Sequence, residues 1–438
     1  MNTTLTAQDF LVSSLGPRTI ASPLDLSTTQ GDGQCNFISD ESRVLYDIES
    51  SPDSGRRDDL TMEKAGPRER IFYDPRTCKA AIVTCGGLCP GLNNVIRSAF
   101  LELHYRYGVP EVLGIRFGLQ GLNPAESVPP IRLSAEFVER IHNLGGTVLG
   151  SSRGPQEPGV IADFLQREGI NMLFCVGGDG TQRGAHQIAR EVTRRGRPIA
   201  VVGIPKTIDN DLPFVWRSFG YGTALEEARE AINCAHTEAR DAPNGIGLVK
   251  LMGRDAGFIA AGATLASQEV NFTLIPEVAF PLDGEQGFLE SLRKRILARR
   301  HAVIAVAEGA GQHLFPTEKV QYDASGNTKL RDIGLFLKDR ITGYFKTAKI
   351  PINMKYIDPS YIIRSVPANS DDALLCDAMA RQAVHAAMAG KTDVLIGLEN
   401  NQLVHVPIAT VCGTKKRFSP QSEMWLRVLE STGQPHWG

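Results

Sequence analysis

Ile199-Ala-Val-Val-Gly-Ile204-Pro205-Lys206-Thr207-Ile208-Asp209-Asn210-Asp211-Leu212 decides how this chain is read. The run from Ile199 to Ile204 is apolar and short, the pattern of a buried strand. A lysine and two acids spaced i, i+2 follow at once, in an open loop at the strand's end. In doubly wound α/β proteins ligands bind at that position. A cation beside such an acid pair suits a base that takes a proton while a phosphoryl group moves. A polar turn with a solvated acid pair satisfies the same string, so the flanking segments carry the decision.

The rhythm repeats on either side. Lys79-Ala-Ala-Ile-Val-Thr84 reads as a strand, as do 112–115, 172–176, 247–251, 302–307 and 393–397. Helical periodicity fills 93–107, 181–195, 223–239, 287–300 and 371–389. Near-continuous apolar strands separated by helix-length segments predict parallel sheets covered on both faces. A chain of 438 residues exceeds one compact core. The expected fold is α/β, with two doubly wound, Rossmann-like lobes. Residues 1–75 are rich in Ser, Thr, Asp and Pro and read as an extension wrapped over the core or joining subunits, with a loop at 50–59. Residues 311–352 read as an insertion containing the turn Asp323-Ala-Ser-Gly-Asn327.

Composition narrows the function class. Hydrophobic content of 42% and charged content of 22% are those of a globular enzyme. A net charge of −2 gives no basis for a nucleic-acid or membrane partner. Cys85 and Cys89 form the tightest pair of the eight cysteines, at a spacing that does not match a zinc site. Cys175 sits inside an apolar run and reads as a buried thiol. The first residues lack a basic start and an apolar stretch, and no apolar run is long enough to span a bilayer. A cytoplasmic setting is expected.

Further strand ends carry polar strings. Gly86-Gly87-Leu-Cys-Pro-Gly91-Leu-Asn93 follows the first core strand and opens a helix, where glycines and the helix dipole favour phosphate; a tight turn fits equally. Gly177-Gly178-Asp179-Gly180-Thr181 adds an acid able to hold Mg²⁺. That string also occurs in NAD kinases and lipid kinases. Met252-Gly253-Arg254-Asp255-Ala-Gly257 offers an arginine for phosphate or a surface ion pair. Glu308 closes another strand and could accept from sugar hydroxyls. Lys355-Tyr-Ile-Asp-Pro-Ser-Tyr361-Ile-Ile-Arg364 suits a phosphorylated sugar or forms an ordinary basic turn.

In this order and spacing, from about residue 79 to 413, the strings resemble the 6-phosphofructokinase family, in particular the long ATP-dependent group found in plants and trypanosomatids. The resemblance implies the phosphofructokinase fold, with a nucleotide-binding lobe at 76–221 and 363–413 and a sugar-phosphate lobe at 222–362 and 414–438. It implies transfer from Mg²⁺-ATP to the C1 hydroxyl of fructose 6-phosphate. Asp209 would be the base, flanked by Thr207 and Asp211, with Lys206 beside it. Asp179 would bind Mg²⁺. Gly87, Gly178, Gly180 and Thr181 would lie on the ATP phosphates, and Arg153 near the transferred phosphoryl. Arg254 would stabilise charge, with Met252, Gly253 and Glu308 along the sugar. Lys355, Tyr361 and Arg364 would hold the 6-phosphate. Sugar sites in the family border on a neighbouring subunit, which implies a homotetramer or homodimer.

Departures set the donor question. Pyrophosphate-dependent members carry lysine where Lys206 stands and an aspartate where Gly180 stands. That carboxylate would repel the α-phosphate of ATP; Gly180 leaves room, so ATP is expected, with pyrophosphate the alternative. Leu119 replaces an aromatic that some members place under adenine. Gly245 stands where short bacterial enzymes supply an intersubunit arginine, and Lys355 keeps the charge of another. A catalytically silent sugar-phosphate-binding subunit is the alternative of another class; such subunits tend to lose the base or metal acid, and Asp179, Asp209 and Arg254 are all present.

Overall fold

Ala200–Pro205 is a fully buried strand flanked by Met172–Gly177 and Val394–Glu399, both parallel to it. The computed structural model in which it lies describes residues 5–49, 57–126, 128–316, 328–413 and 415–437. Two compact units emerge. The first comprises Met1–Thr207, Leu212–Gly220 and Val366–Lys415; the second comprises Ile208–Asp211, Tyr221–Ser365 and Lys416–Gly438.

The first unit is built on a nine-stranded sheet. Its parallel centre runs Val394–Glu399, Ala200–Pro205, Met172–Gly177, Lys79–Thr84, Glu111–Ile115. Helices follow two of these strands at Leu92–Leu101 and Asp179–Arg194, and Ser370–Met388 precedes Val394–Glu399. The sequence reading of parallel sheets is incomplete at the edges. Ile131–Arg132 closes one edge antiparallel, and Gln402–Pro407, Thr61–Lys64 and Arg43–Leu45 extend the other antiparallel. The turn Asn400-Asn401 explains part of the difference. Both residues take positive φ, the twist that joins antiparallel neighbours through a two-residue hairpin.

Residues of the N-terminal region therefore lie within this sheet. Glu63 on the Thr61–Lys64 strand is buried and accepts from Arg68 Nη2 at 2.9 Å and Lys391 Nζ at 2.9 Å, while its other contact is His405 Nδ1 at 2.9 Å. Those partners hold its carboxyl far below the usual range against the opposing effect of burial.

The second unit has a four-stranded parallel sheet, in the order Phe272–Leu274, His301–Ala307, Gly245–Leu251, Asn353–Ile357. Ile246, Leu248, Ile304 and Val306 point into a core closed by Leu292 and Ile296 from the helix Phe288–Arg299. The segment expected as an insertion supplies a core helix instead. Ile333, Leu337, Ile341 and Phe345 recur every fourth residue on Ile333–Thr347 and are fully buried in that core. A single apolar stripe on a polar helix is easily read as surface when attention falls on neighbouring glycines and serines. The turn expected at 323–327 and most of the loop at 50–59 lie outside the described residues.

His385, buried in the helix Ser370–Met388, meets the Tyr107 hydroxyl at 2.9 Å. Burial, then the nearby Arg381 and Arg68 charges, push its pKa from 6.5 down to about 3. A depressed folded pKa means stability present above pH 6.5 and lost as pH falls toward 3. Urea unfolding across that window should show the loss, and His385→Gln should flatten it by on the order of 5 kcal/mol; an unchanged acid limb in the variant would contradict this.

Candidate functional site

In the first unit, Lys206 is where two glycine turns meet. Its backbone N–H donates to the Gly177 carbonyl at 3.1 Å, and its buried ammonium donates to the Gly87 carbonyl at 2.8 Å. A Cβ on Gly178 would lie 3.3 Å from the Lys206 carbonyl, and one on Gly86 3.2 Å from its ammonium. Both turns open helices, at Leu92 and at Asp179. Gly177 must be glycine, because a Cβ would lie 2.2 Å from Thr181 Oγ1. Gln182, fully buried, donates to the Gly177 carbonyl at 2.9 Å and braces the turn. Sequence reasoning missed it, since a glutamine inside a helix carries no local signal.

The segment bearing Arg153 runs along the first turn. Ser151 Oγ donates to the Gly86 carbonyl at 2.6 Å, and the Gly86 N–H donates to the Ser152 carbonyl at 3.1 Å. Asp179 occupies the first turn of its helix and pairs with Arg183 at 2.9 Å, one turn on. Arg183 is the second residue the sequence reading left out. Space opens at Gly180: a Cβ there would meet only the tip of Arg183, at 4.0 Å. No group of three His, Cys, Asp or Glu suited to a metal occurs among the described residues. One exposed carboxylate at a helix N-terminus suits a Mg²⁺ that shares its shell with water and substrate phosphates.

The loop after Ala200–Pro205 passes from the first unit to the second between Thr207 and Ile208. Thr207 is buried, and its carbonyl accepts from Ser218 Oγ at 2.6 Å. On the second unit's side, Asp209 is buried and its carboxylate lies 3.8 Å from Arg254 Nε. Asn210 takes φ 55°, so the Asp209 and Asp211 backbones meet at a left-handed corner.

Arg254 is itself held in a left-handed conformation, φ 49°. Its backbone N–H donates to Glu308 Oε1 at 2.9 Å. Its carbonyl presses on Gly309, where a Cβ would lie 1.9 Å away. Gly253, at φ 141°, leaves a Cβ no room beside the Ala256 carbonyl at 2.4 Å. Glu308, at its strand end, thus positions Arg254, a role the sequence did not indicate. Met252, partly buried, follows directly on Gly245–Leu251.

Of Lys355, Tyr361 and Arg364, the structure brings the last two together. Lys355 pairs with Glu238 at 3.2 Å, Tyr361 is exposed, and the Arg364 guanidinium lies 4.7 Å over its ring. Lys250 bridges Asp332 at 3.0 Å and Asp358 at 2.8 Å, which fixes the start of the Tyr361 loop. Those two carboxylates raise the Lys250 pKa against the opposing effect of burial.

Glycine turns at helix N-termini, an acid in one of them and a buried lysine behind both define a phosphate-handling α/β protein. The phosphofructokinase family model matches residues 79–387, and the chain belongs to that family. It is 50% identical over 434 residues to the ATP-dependent 6-phosphofructokinase of Borreliella burgdorferi, covering 98% of this chain and 97% of the relative. It is 48% identical over 376 residues to ATP-dependent 6-phosphofructokinase 7 of Arabidopsis thaliana, covering 85% and 77%. The likeness expected from the motifs to the long ATP-dependent group therefore holds, and it reaches beyond plants and trypanosomatids. The fold also matches the crystal structure of a pyrophosphate-dependent phosphofructokinase from Marinobacter aquaeolei, with TM-score 0.67, 21% identity, and 82% and 92% of the two chains covered.

The space around two glycines makes a paired prediction. Gly180→Ala should leave unfolding free energy within about 0.5 kcal/mol, while Gly309→Ala should lower it by about 1–3 kcal/mol, because its Cβ strikes backbone. Urea titration of both variants tests this; equal effects would show that the approach of the Arg254 carbonyl is not tight.

Proposed function

We propose that the protein transfers the terminal phosphoryl group of ATP to the C1 hydroxyl of fructose 6-phosphate. The observation that carries this reading is the run from Lys206 to Asp211, which joins a lysine tied to both glycine turns to an aspartate paired with Arg254. Phosphoryl transfer asks a protein chiefly for positioning and charge neutralisation. Gly87, Gly178, Gly180 and Thr181 would receive the ATP phosphates on backbone amides and a hydroxyl, with Arg153 beside them. Asp179 would hold Mg²⁺, which when bound neutralises phosphate charge. For that, Arg183 must release the carboxylate it pairs with at 2.9 Å.

Asp209 would accept the proton of the C1 hydroxyl, with Thr207 and Asp211 on either side. Arg254, within reach of Asp209, would meet the charge that develops on the transferring group. Met252, Gly253 and Glu308 would border the sugar, and Lys355, Tyr361 and Arg364 its 6-phosphate. Lys206, whose ammonium donates to the Gly87 carbonyl, would help to hold the turn that receives phosphate. The open space at Gly180 supports ATP over pyrophosphate, since it admits a larger phosphate chain. A homotetramer with cytoplasmic placement completes the reading; among the described residues no helix is long and apolar enough to cross a membrane.

Asp209→Ser should reduce turnover by about 10²–10⁴-fold with little change in fructose 6-phosphate affinity. Steady-state kinetics with unchanged turnover would remove Asp209 as the base. Gly180→Asp should impair ATP use strongly while the melting temperature stays put, because the protein itself has room there. Activity assays with ATP and with pyrophosphate at matched concentrations decide the donor; turnover with pyrophosphate alone would defeat the reading of Gly180.

A further inference from the structure

A cavity of about 400 Å³ opens in the second unit beneath the C-terminal segment, at the start of the Phe272–Leu274 strand. In a parallel sheet this is the end opposite to Leu251 and Ala307, after which Arg254 and Glu308 follow. The cavity is therefore outside the residues assigned to catalysis, and its volume falls in the range of small-molecule sites.

Its walls are built. Gln434 is buried and clasps the strand through both ends of its amide, accepting from the Thr273 N–H at 2.6 Å and donating to the Thr273 carbonyl at 3.2 Å. Trp437 donates from its indole to the Gln286 carbonyl at 3.0 Å and stacks at 20° on Phe272, centroids 6.3 Å apart. These rings give the cavity a flat apolar wall. Arg295 and Lys294 supply the facing charge. Arg295 is partly exposed, but its Nε is buried without a hydrogen-bond partner. Burial, and then the neighbouring Arg299 charge, lower its pKa from the ordinary value. A buried N–H is normally hydrogen-bonded, and one left without an acceptor beside a cavity marks a place for an anion's oxygen. Glu285 also lines the cavity, so the balance with Lys294 and Arg295 is one positive charge in excess.

We propose that this cavity is a second ligand site, which binds a small anion, phosphate or carboxylate, carried on a flat ring. The anion sits on Arg295 and Lys294, and the ring lies along Trp437. Nothing in the transfer reaction calls for such a site, so it supplies a place where a metabolite of that chemistry can act on the enzyme without competing for the sugar.

The test uses the full chain and calorimetric titration with phenyl phosphate, benzoate, inorganic phosphate and phenol. Phenyl phosphate or benzoate should bind saturably at one site, and whichever binds tighter identifies the anion. Phenol and inorganic phosphate should bind at least ten-fold more weakly. Arg295→Met should weaken binding roughly ten- to a hundred-fold, the loss of charge-assisted hydrogen bonds, and leave the kinetic constants for both substrates unchanged. Arg254→Ala should leave phenyl phosphate binding intact. Lys294→Met, at an exposed position, provides the same test should Arg295→Met fail to fold. Binding that survives the Arg295 and Lys294 changes, is lost in Arg254→Ala, or is matched by phenol overturns the proposal. Because ligand binding is the deciding readout, failure here leaves the proposed reaction untouched.

Discussion

The ammonium of Lys206, buried against the carbonyl of Gly87, is the contact on which the first unit's site depends. A buried charge must find polar partners or it costs several kcal/mol. Here the partner is backbone, and the backbone belongs to a turn that begins a helix. The same residue holds Gly177 through its own N–H. One lysine thereby sets the spacing of two helix N-termini whose amides point outward. The glycines on both turns follow from this closeness, since a side chain at Gly86 or Gly178 would press on Lys206.

A second constraint governs the other unit. Arg254 occupies a left-handed conformation that an arginine does not adopt for local reasons. It persists because Glu308 accepts its N–H and Gly309 yields to its carbonyl. Strain of this kind survives only where surrounding contacts over-determine it. The guanidinium is delivered to Asp209 by that arrangement, and the same logic applies at Asn210. Rigid backbone thus holds these charges in place in advance, rather than leaving them to be recruited by reorganisation.

The N-terminal region is bound by electrostatics as much as by sheet pairing. Glu63 gathers Arg68, Lys391 and His405 in a dry environment. Removing one member of such a cluster leaves a buried charge unmatched, which is more damaging than never having had the cluster. That makes these residues part of the sheet that presents the glycine turns, although their composition resembles a linker.

Much of this was legible in the chain itself. Apolar runs such as 79–84 and 172–176 determine strands, because a strand buried on both faces needs no partner to be recognised. The glycine strings and the Lys206–Asp211 loop mark the candidate site, because only certain residues suit phosphate at a strand end. The antiparallel edges, the core role of Ile333–Thr347, and the parts played by Gln182, Arg183 and Glu308 were decided by tertiary structure alone. Periodicity reports which face of a segment is apolar; it does not report what that face meets. Lys206 and Gly87 stand 119 positions apart, and nothing local to either encodes their bond. The sequence determined which groups could do the chemistry, and packing determined which of them hold one another in place.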